Sequence, residues 1–184
     1  MPIQTPICDF GKKALPFELK STEKKIISLD NIKGENGTLI MFICNHCPYV
    51  KAVTKEIVDD CNELKKIGIN SVAICSNDFI NYPDDSFENM IKFANENQFN
   101  FPYLHDDTQE IARSYEAVCT PDFFGYNKNL ELQYRGRLRE LKKFLPVTDG
   151  ESDLLKAMRQ IADIGKGPHK QIPSAGCGIK WKFD

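Results

Sequence analysis

Apolar positions recur along the chain with two different periods, and their alternation predicts the order of the elements. Leu39 to Ile43 is an unbroken apolar run of the length of a buried strand. Val50, Val53, Ile57, Cys61 and Leu64 then recur at helical spacing, with Lys, Glu and Asp on the opposite face, and Gly68 closes the helix. Ile69 to Ile74 gives a second apolar strand, followed by a polar loop from Ser76 to Asp85 rich in Asn, Asp and Pro. Phe87, Met90, Ile91 and Ala94 mark a helix, Phe101 to Leu104 a short extended stretch, and Ile111, Ala112 and Tyr115 a helix starting at Asp107 or Thr108. Asp122 to Tyr126 and Leu130 to Tyr134 flank Asn127-Lys128-Asn129, which signals a hairpin. Helices between the early strands require crossover connections and parallel pairing, so the fold class is α/β.

Leu154, Leu155, Met158, Ile161 and Ala162 give a final amphipathic helix. After it, Gly165 to Gly178 reads as a Gly/Pro-rich loop leading into Ile179-Lys180-Trp181-Lys182-Phe183. The linker Val147 to Ser152 is short and polar. Residues 147–184 are therefore expected to pack as an extension on a single domain spanning 1–184.

Composition narrows the function classes. With 24 basic and 26 acidic residues among 184, the chain offers no basic stripe for nucleic acid. No apolar run approaches the roughly 18 residues of a membrane span. Met1 to Pro6 lacks a basic cluster followed by an apolar segment, so no secretory signal is expected. Of the seven Cys, only one pair is close in sequence, and the odd number does not suit an extracellular disulfide framework. The expected location is the reducing cytoplasm.

That pair carries the chemistry. Cys44-Asn45-His46-Cys47 follows the first strand directly and precedes Pro48 and the amphipathic helix. A helix N-terminus presents unsatisfied N–H groups and the positive end of the dipole, which lowers a thiol from its ordinary pKa of about 8.5. Two thiols three positions apart there can close a small disulfide, and a protonated His46 beside them would favour the thiolate further. Zinc usually takes four ligands, and no second Cys or His pair exists, so neither a metal nor a cofactor is expected. Cys61 on its helical stripe and Cys75 at a strand end read as small core residues, and His105 and His169 as isolated structural or surface groups. Arg135, Arg137 and Arg139, with Lys142 and Lys143, form a basic stretch. It is either a solvated face or a source of positive charge for a thiol or an anionic substrate.

The Cys-x-x-Cys at a strand-to-helix junction, with Thr120-Pro121 about seventy residues later, resembles the thioredoxin fold. The segments Asn45 to Val50, Cys119 to Phe124, Tyr134-Arg135-Gly136 and Gly176 to Trp181 together resemble the peroxiredoxin-like redoxins, relatives of the alkyl hydroperoxide reductase and thiol-specific antioxidant family. The likeness runs from about Phe10 to Trp181. It implies a central mixed sheet flanked by helices, with an N-terminal extension and a C-terminal helix plus loop. It also implies that Cys44 is the exposed attacking thiol, Cys47 its more buried partner, and Pro121 a cis-proline facing them, with Thr120, Asn45 and Pro48 along a substrate groove. His46 falls where strongly oxidising relatives place a His. Cys119, two residues before Pro121, is then either a core thiol or a third redox thiol, and Cys177 either a loop anchor or a resolving or regulatory thiol.

The resemblance leaves three functions open. The first is a thiol–disulfide oxidoreductase acting on a disulfide- or dithiol-containing protein or a small thiol, with an electron donor the sequence does not name. The second is a thiol peroxidase with Cys47 or Cys44 as the peroxidatic thiol. The peroxidase pattern Pro-x-x-x-Thr/Ser-x-x-Cys is incomplete, because Ile40 stands for its Pro and Cys44 for its Thr when Cys47 is aligned, and an Arg would have to come from Arg113, Arg135 or Arg137. The third is a non-catalytic redox-sensing or binding module.

Overall fold

The apolar run after Gly37 becomes the middle of the molecule because both of its faces are covered. In the computed structural model, which describes residues 1–183, the elements follow in this order: β1 (Ile3–Gln4), β2 (Glu18–Ser21), β3 (Ile26–Ser28), α1 (Leu29–Ile32), β4 (Gly37–Phe42), α2 (Pro48–Lys66) and β5 (Ile69–Cys75). A single 3-10 turn (Pro83–Asp85) leads to α3 (Phe87–Glu96), β6 (Tyr103–His105), α4 (Glu110–Ser114), β7 (Cys119–Thr120), β8 (Asp122–Asn127) and β9 (Leu132–Tyr134). The chain ends with β10 (Leu141–Lys142), β11 (Leu145–Pro146), α5 (Asp153–Ile164) and β12 (Ala175–Gly178). Asp184, the last residue of the expected extension, lies outside the described residues.

Seven strands form one mixed sheet in the order β3-β2-β6-β5-β4-β8-β9. β4 pairs with β5 and β5 with β6 in parallel, as the intervening helices require, whereas β8 returns antiparallel to β4. Alternation along β4 sends Leu39, Met41 and Ile43 to one face and Ile40 and Phe42 to the other. The first face is covered by Val50, Val53, Ile57 and Leu64 of α2, Met90 of α3, and Leu154, Leu155, Met158 and Ile161 of α5. The second is covered by Phe17, Leu29, Ala112, Tyr115 and Ile179. α5 is capped at its start by Ser152, whose Oγ accepts the Leu155 N–H (3.0 Å) and donates to the buried Asp60 carboxylate (2.5 Å). Gly165 ends it at φ +73°, a left-handed conformation suited to glycine. Gly125 on β8 leaves the space that Met158 fills: a Cβ there would stand 2.5 Å from the Met158 sulfur.

Three segments differ from the sequence reading. The supposed loop up to Gly178 ends in β12, which lies between β1 and β7 in a second, three-stranded sheet. Ala175-Gly176-Cys177-Gly178 has no apolar alternation, so nothing in it signals a strand. What makes it one is its fit against Thr120, where any Cβ on Gly176 would collide with the Thr120 carbonyl. The N-terminal strands β2 and β3 lie at the sheet edge; β2 is largely polar and β3 has two adjacent apolar residues, so neither shows a sustained alternating pattern. The last helix before β7 starts at Glu110, after Gln109 at φ +66°. Among the described residues no helix is long and apolar enough to cross a membrane.

Candidate active site

The dithiol lies where β4 gives way to α2. Cys47 is the N-cap residue of α2 and Pro48 occupies the first helical position, where its missing N–H costs nothing. The loop before them is held from beneath. The Asn45 N–H donates to Asp85 Oδ1 (2.8 Å), its side-chain amide donates to the Asp84 carbonyl (3.1 Å), and its Oδ1 accepts from the Tyr103 hydroxyl (2.8 Å). Asn45 thus braces the loop from the buried side instead of lining a groove. Pro48 is exposed.

This bracing overturns the expectation that Cys44 is the exposed thiol. Both Cys44 and Cys47 are 0% exposed. Both face Thr120. The Cys44 sulfur lies 3.4 Å from Thr120 Oγ1, and the Cys47 thiol, when protonated, donates to the Thr120 carbonyl at 3.2 Å. The Thr120–Pro121 peptide is cis. Cys47 also lies within hydrogen-bonding reach of Cys177, on β12, whose register sets it directly across from Thr120. Cys177, which the sequence leaves as either a loop anchor or a resolving or regulatory thiol, thus stands near Cys47, and Thr120, Pro121 and both members of the Cys pair are brought together.

The two thiols are driven apart in acidity. A hydrogen bond from the Cys44 thiol is the largest influence on Cys47. Burial opposes it, and the Cys177 thiol and the Val50 and Cys177 backbone N–H groups around the sulfur bring Cys47 down to about 4. Cys44 moves the other way, well above an ordinary thiol, because it keeps its proton for Cys47, because it is buried, and because Asp85 is near. The site therefore favours one thiolate on Cys47 and one thiol on Cys44.

His46 faces Asp85, with Nδ1 2.5 Å from Oδ2, and stacks on the Tyr82 ring at 6.1 Å. Asp85 is fully buried and also accepts from Asn77 Nδ2 (2.8 Å). Burial alone would raise its pKa, but the bonds from His46, Asn77 and the Asn45 N–H hold it below the usual value. The hydrogen bond to Asp85 in turn raises His46 above the ordinary imidazole value, against the opposing effect of burial. Asp85 does not stand out in the sequence, since one acidic residue in a polar loop carries no periodic signal. The His46 contribution to stability is complete below about pH 6.5 and fades as pH rises through its raised pKa, whereas that of Asp85 is complete above about pH 4 and is lost as pH falls through its depressed pKa. His46→Gln is thus expected to cost about 1–2 kcal/mol near pH 6 and less at pH 9, measured by urea unfolding. A difference that does not change between pH 6 and 9 would contradict the ion pair.

Cys44, His46 and Asp85 place ligand-type atoms within 4.8 Å of one another. Both Asp85 oxygens are already taken by N–H donors and the His46 nitrogen already faces one of them, so these groups are spent on each other and do not fit a metal. Cys119 is buried and its thiol donates to the Pro121 carbonyl (3.6 Å); burial and Asp122 push its pKa up, which suits packing and not attack. The basic stretch divides: Lys142 and Lys143 are solvated, whereas the arginines are engaged. Arg135 is held by both oxygens of Asp122 (3.2 and 2.9 Å), Arg137 by Asp153 (2.6 Å) and Arg139 by Glu56 (3.2 Å), while Arg113 lies over the Trp181 ring. Beside Pro121 a cleft of about 250 Å³ opens, walled by Tyr49, Val53, Phe123, Leu138 and Ile172.

Comparison with known families bears on this geometry directly. The model of the AhpC/TSA family matches residues 10–140, most of the chain and every site residue except Cys177. The chain belongs to the AhpC/TSA family. This AhpC/TSA protein is similar over its whole length to an uncharacterized conserved protein from Geobacillus kaustophilus, at 41% identity and TM-score 0.88, covering 100% of this chain and 98% of that one. A hypothetical protein from Sinorhizobium meliloti 1021 is 30% identical at TM-score 0.87, covering 98% of both chains. The thioredoxin domain of a thiol-disulfide oxidoreductase from Bacteroides vulgatus shares the fold at 16% identity and TM-score 0.59, covering 74% of this chain and 91% of that one. The fold is thioredoxin-like. A search of curated proteins gave no significant match.

Proposed function

We propose that this redoxin is a thiol–disulfide oxidoreductase whose working couple is Cys44 and Cys47, with Cys47 as the exchanging thiolate. The observation that carries the reading is the placement of both thiols at the start of α2, with Cys47 the N-cap residue, against Thr120 and its cis peptide to Pro121; the groups around them favour the thiolate on Cys47 over Cys44. Oxidation joins the two sulfurs as the substrate disulfide receives two electrons and leaves as two thiols; the reverse reaction oxidises a substrate dithiol. Stabilising the Cys47 thiolate stabilises the reduced form, so the couple is oxidising for its class, and His46, whose protonated form Asp85 favours, adds positive charge on the same turn when it is protonated. Pro121 and the cleft beside it offer a place for the substrate backbone. The substrate is a protein or small molecule carrying a disulfide or dithiol, and the scattered free thiols suit a reducing, cytoplasmic setting.

A second reading, thiol peroxidase, draws on the same low thiol pKa at Cys47 and on Pro48 after it. It is the weaker one because Arg135 and Arg137, which such a mechanism would need beside the thiolate, are engaged by Asp122 and Asp153.

The test is a redox titration. The protein is equilibrated in glutathione buffers of graded potential, its free thiols are alkylated, and every Cys is mapped by mass spectrometry. Cys47 is expected to lose its label in a reversible transition with a midpoint above the thioredoxin value of about −270 mV. A Cys47 that stays free across the whole range sinks the oxidoreductase. Peroxide consumption with a sulfenic acid on Cys47, and no disulfide exchange, would move the peroxidase reading ahead.

A further inference from the structure

A couple that is 0% exposed at both sulfurs has no direct contact with a bulky partner. The Cys47 environment shows where contact is made. β12 is held on both sides, Gly176 against Ile3 of β1 and Cys177 against Thr120 of β7. The absent Cβ of Gly176 lets the strand close onto Thr120, the residue that both thiols of the couple touch. Ser174 fixes the start of the strand by donating to the Pro121 carbonyl (2.8 Å). The Cys177 side chain thereby comes within hydrogen-bonding reach of Cys47, and unlike Cys44 and Cys47 it is partly exposed.

We infer that Cys177 is the outlet of the site: it forms a second disulfide with Cys47, and external thiols meet the protein at the Cys177 sulfur. This rests on Cys47 being a redox thiol, as proposed above. A substrate thiolate attacks the Cys177 sulfur, the Cys47–Cys177 bond breaks, and Cys47 leaves as thiolate, giving a mixed disulfide between Cys177 and the substrate. The second substrate thiolate attacks the substrate sulfur of that mixed disulfide. The substrate departs as a disulfide, and Cys177 takes up a proton. Two electrons pass from the substrate dithiol to the protein disulfide, which a low-molecular-weight disulfide such as oxidised glutathione restores.

The direction of attack follows from acidity and access. Exchange is faster when the leaving thiol has the lower pKa and when the attacked sulfur is reachable. Cys47, down at about 4, is the better leaving group, and Cys177, pushed up to about 11 chiefly by burial, is the poorer one but the accessible sulfur. A Cys44–Cys47 disulfide has neither sulfur exposed, so it serves as the buried store, exchanging internally with Cys177.

Two variants of the full chain test this. Cys44→Ser, oxidised with oxidised glutathione and digested without reductant, is expected to yield a Cys47–Cys177 linked peptide. Cys177→Ser is expected still to form the Cys44–Cys47 disulfide, but to be reduced by dithiothreitol roughly tenfold or more slowly than the wild type. Glutathione retained on Cys47 of the Cys44→Ser variant, with Cys177 free, overturns the outlet and leaves the oxidoreductase reading standing. Cys47 unmodified in the wild type and both variants overturns the two together. The linked-peptide experiment leaves residue 177 native, so it decides the matter even if substitution there disturbs β12.

Discussion

Cys47→Ser is expected to abolish thiol–disulfide exchange, by at least about three orders of magnitude in the turnover of a disulfide substrate. The hydroxyl that replaces the thiol keeps much of the shape but forms neither a thiolate nor a disulfide, and the exchange proposed above runs through residue 47. Its neighbours are not equivalent. Cys44→Ala removes the group that donates to Cys47, so the Cys47 pKa should rise, and iodoacetamide alkylation of Cys47 should shift its midpoint to higher pH. Activity in Cys47→Ser equal to that of the wild type would place the chemistry at another thiol. Peroxide consumption that survives Cys44→Ser but not Cys47→Ser, without disulfide exchange, would favour the peroxidase reading.

Arg135→Met is expected to destabilise the fold by about 3–5 kcal/mol, because it leaves an unpaired carboxylate in the core. Asp122 is fully buried, and both of its oxygens are bonded by Arg135, whose guanidinium also donates to the Glu116 carbonyl and lies over the Phe124 ring. For a chain of this length that loss lowers Tm by roughly 10 °C or more, measured by thermal unfolding. The effect should reach the site, since Asp122 accepts the Val118 N–H and so ties down the segment that presents Thr120 and Pro121 to the dithiol. Arg135→Met combined with Asp122→Leu should recover part of the loss, as replacing a whole buried pair by apolar groups is far milder than breaking it. A single Arg135→Met variant within about 1 kcal/mol of wild type would show that the pair does not hold this region.

The contrast between these two predictions shows how legible the chain was. Cys47 stood out in the sequence because its chemistry is local: two thiols, a Pro and a helix start within five positions. Arg135 is visible in the sequence as part of a basic run, of the Tyr134-Arg135-Gly136 segment and as a candidate peroxidase Arg, but not as a buried structural charge. Its partner Asp122 lies thirteen residues away across a strand pair, and a charge that will be buried looks the same in sequence as one that will be solvated. Asp85 escaped notice for the same reason, although it fixes both His46 and the Asn45 backbone. Which of the two thiols is acidic also depended on neighbours from elsewhere, above all on the Cys177 strand.

By itself, then, the sequence determined the parallel core strands, the amphipathic helices that cover them, and the placement of a dithiol at a helix N-terminus. Each of these rests on periodicity or on spacing within a few residues, where the backbone geometry of one element dictates what is adjacent. Only the tertiary structure decided that Cys44 is buried, that the Gly-rich segment before Ile179 is a strand, that the arginines are neutralised in place, and that a third thiol stands beside the second. Those outcomes depend on contacts between segments well separated along the chain, such as Asp122 with Arg135, Thr120 with Cys47 and Cys177 with Cys47, and on close backbone approach at glycines that carry no side chain to announce it.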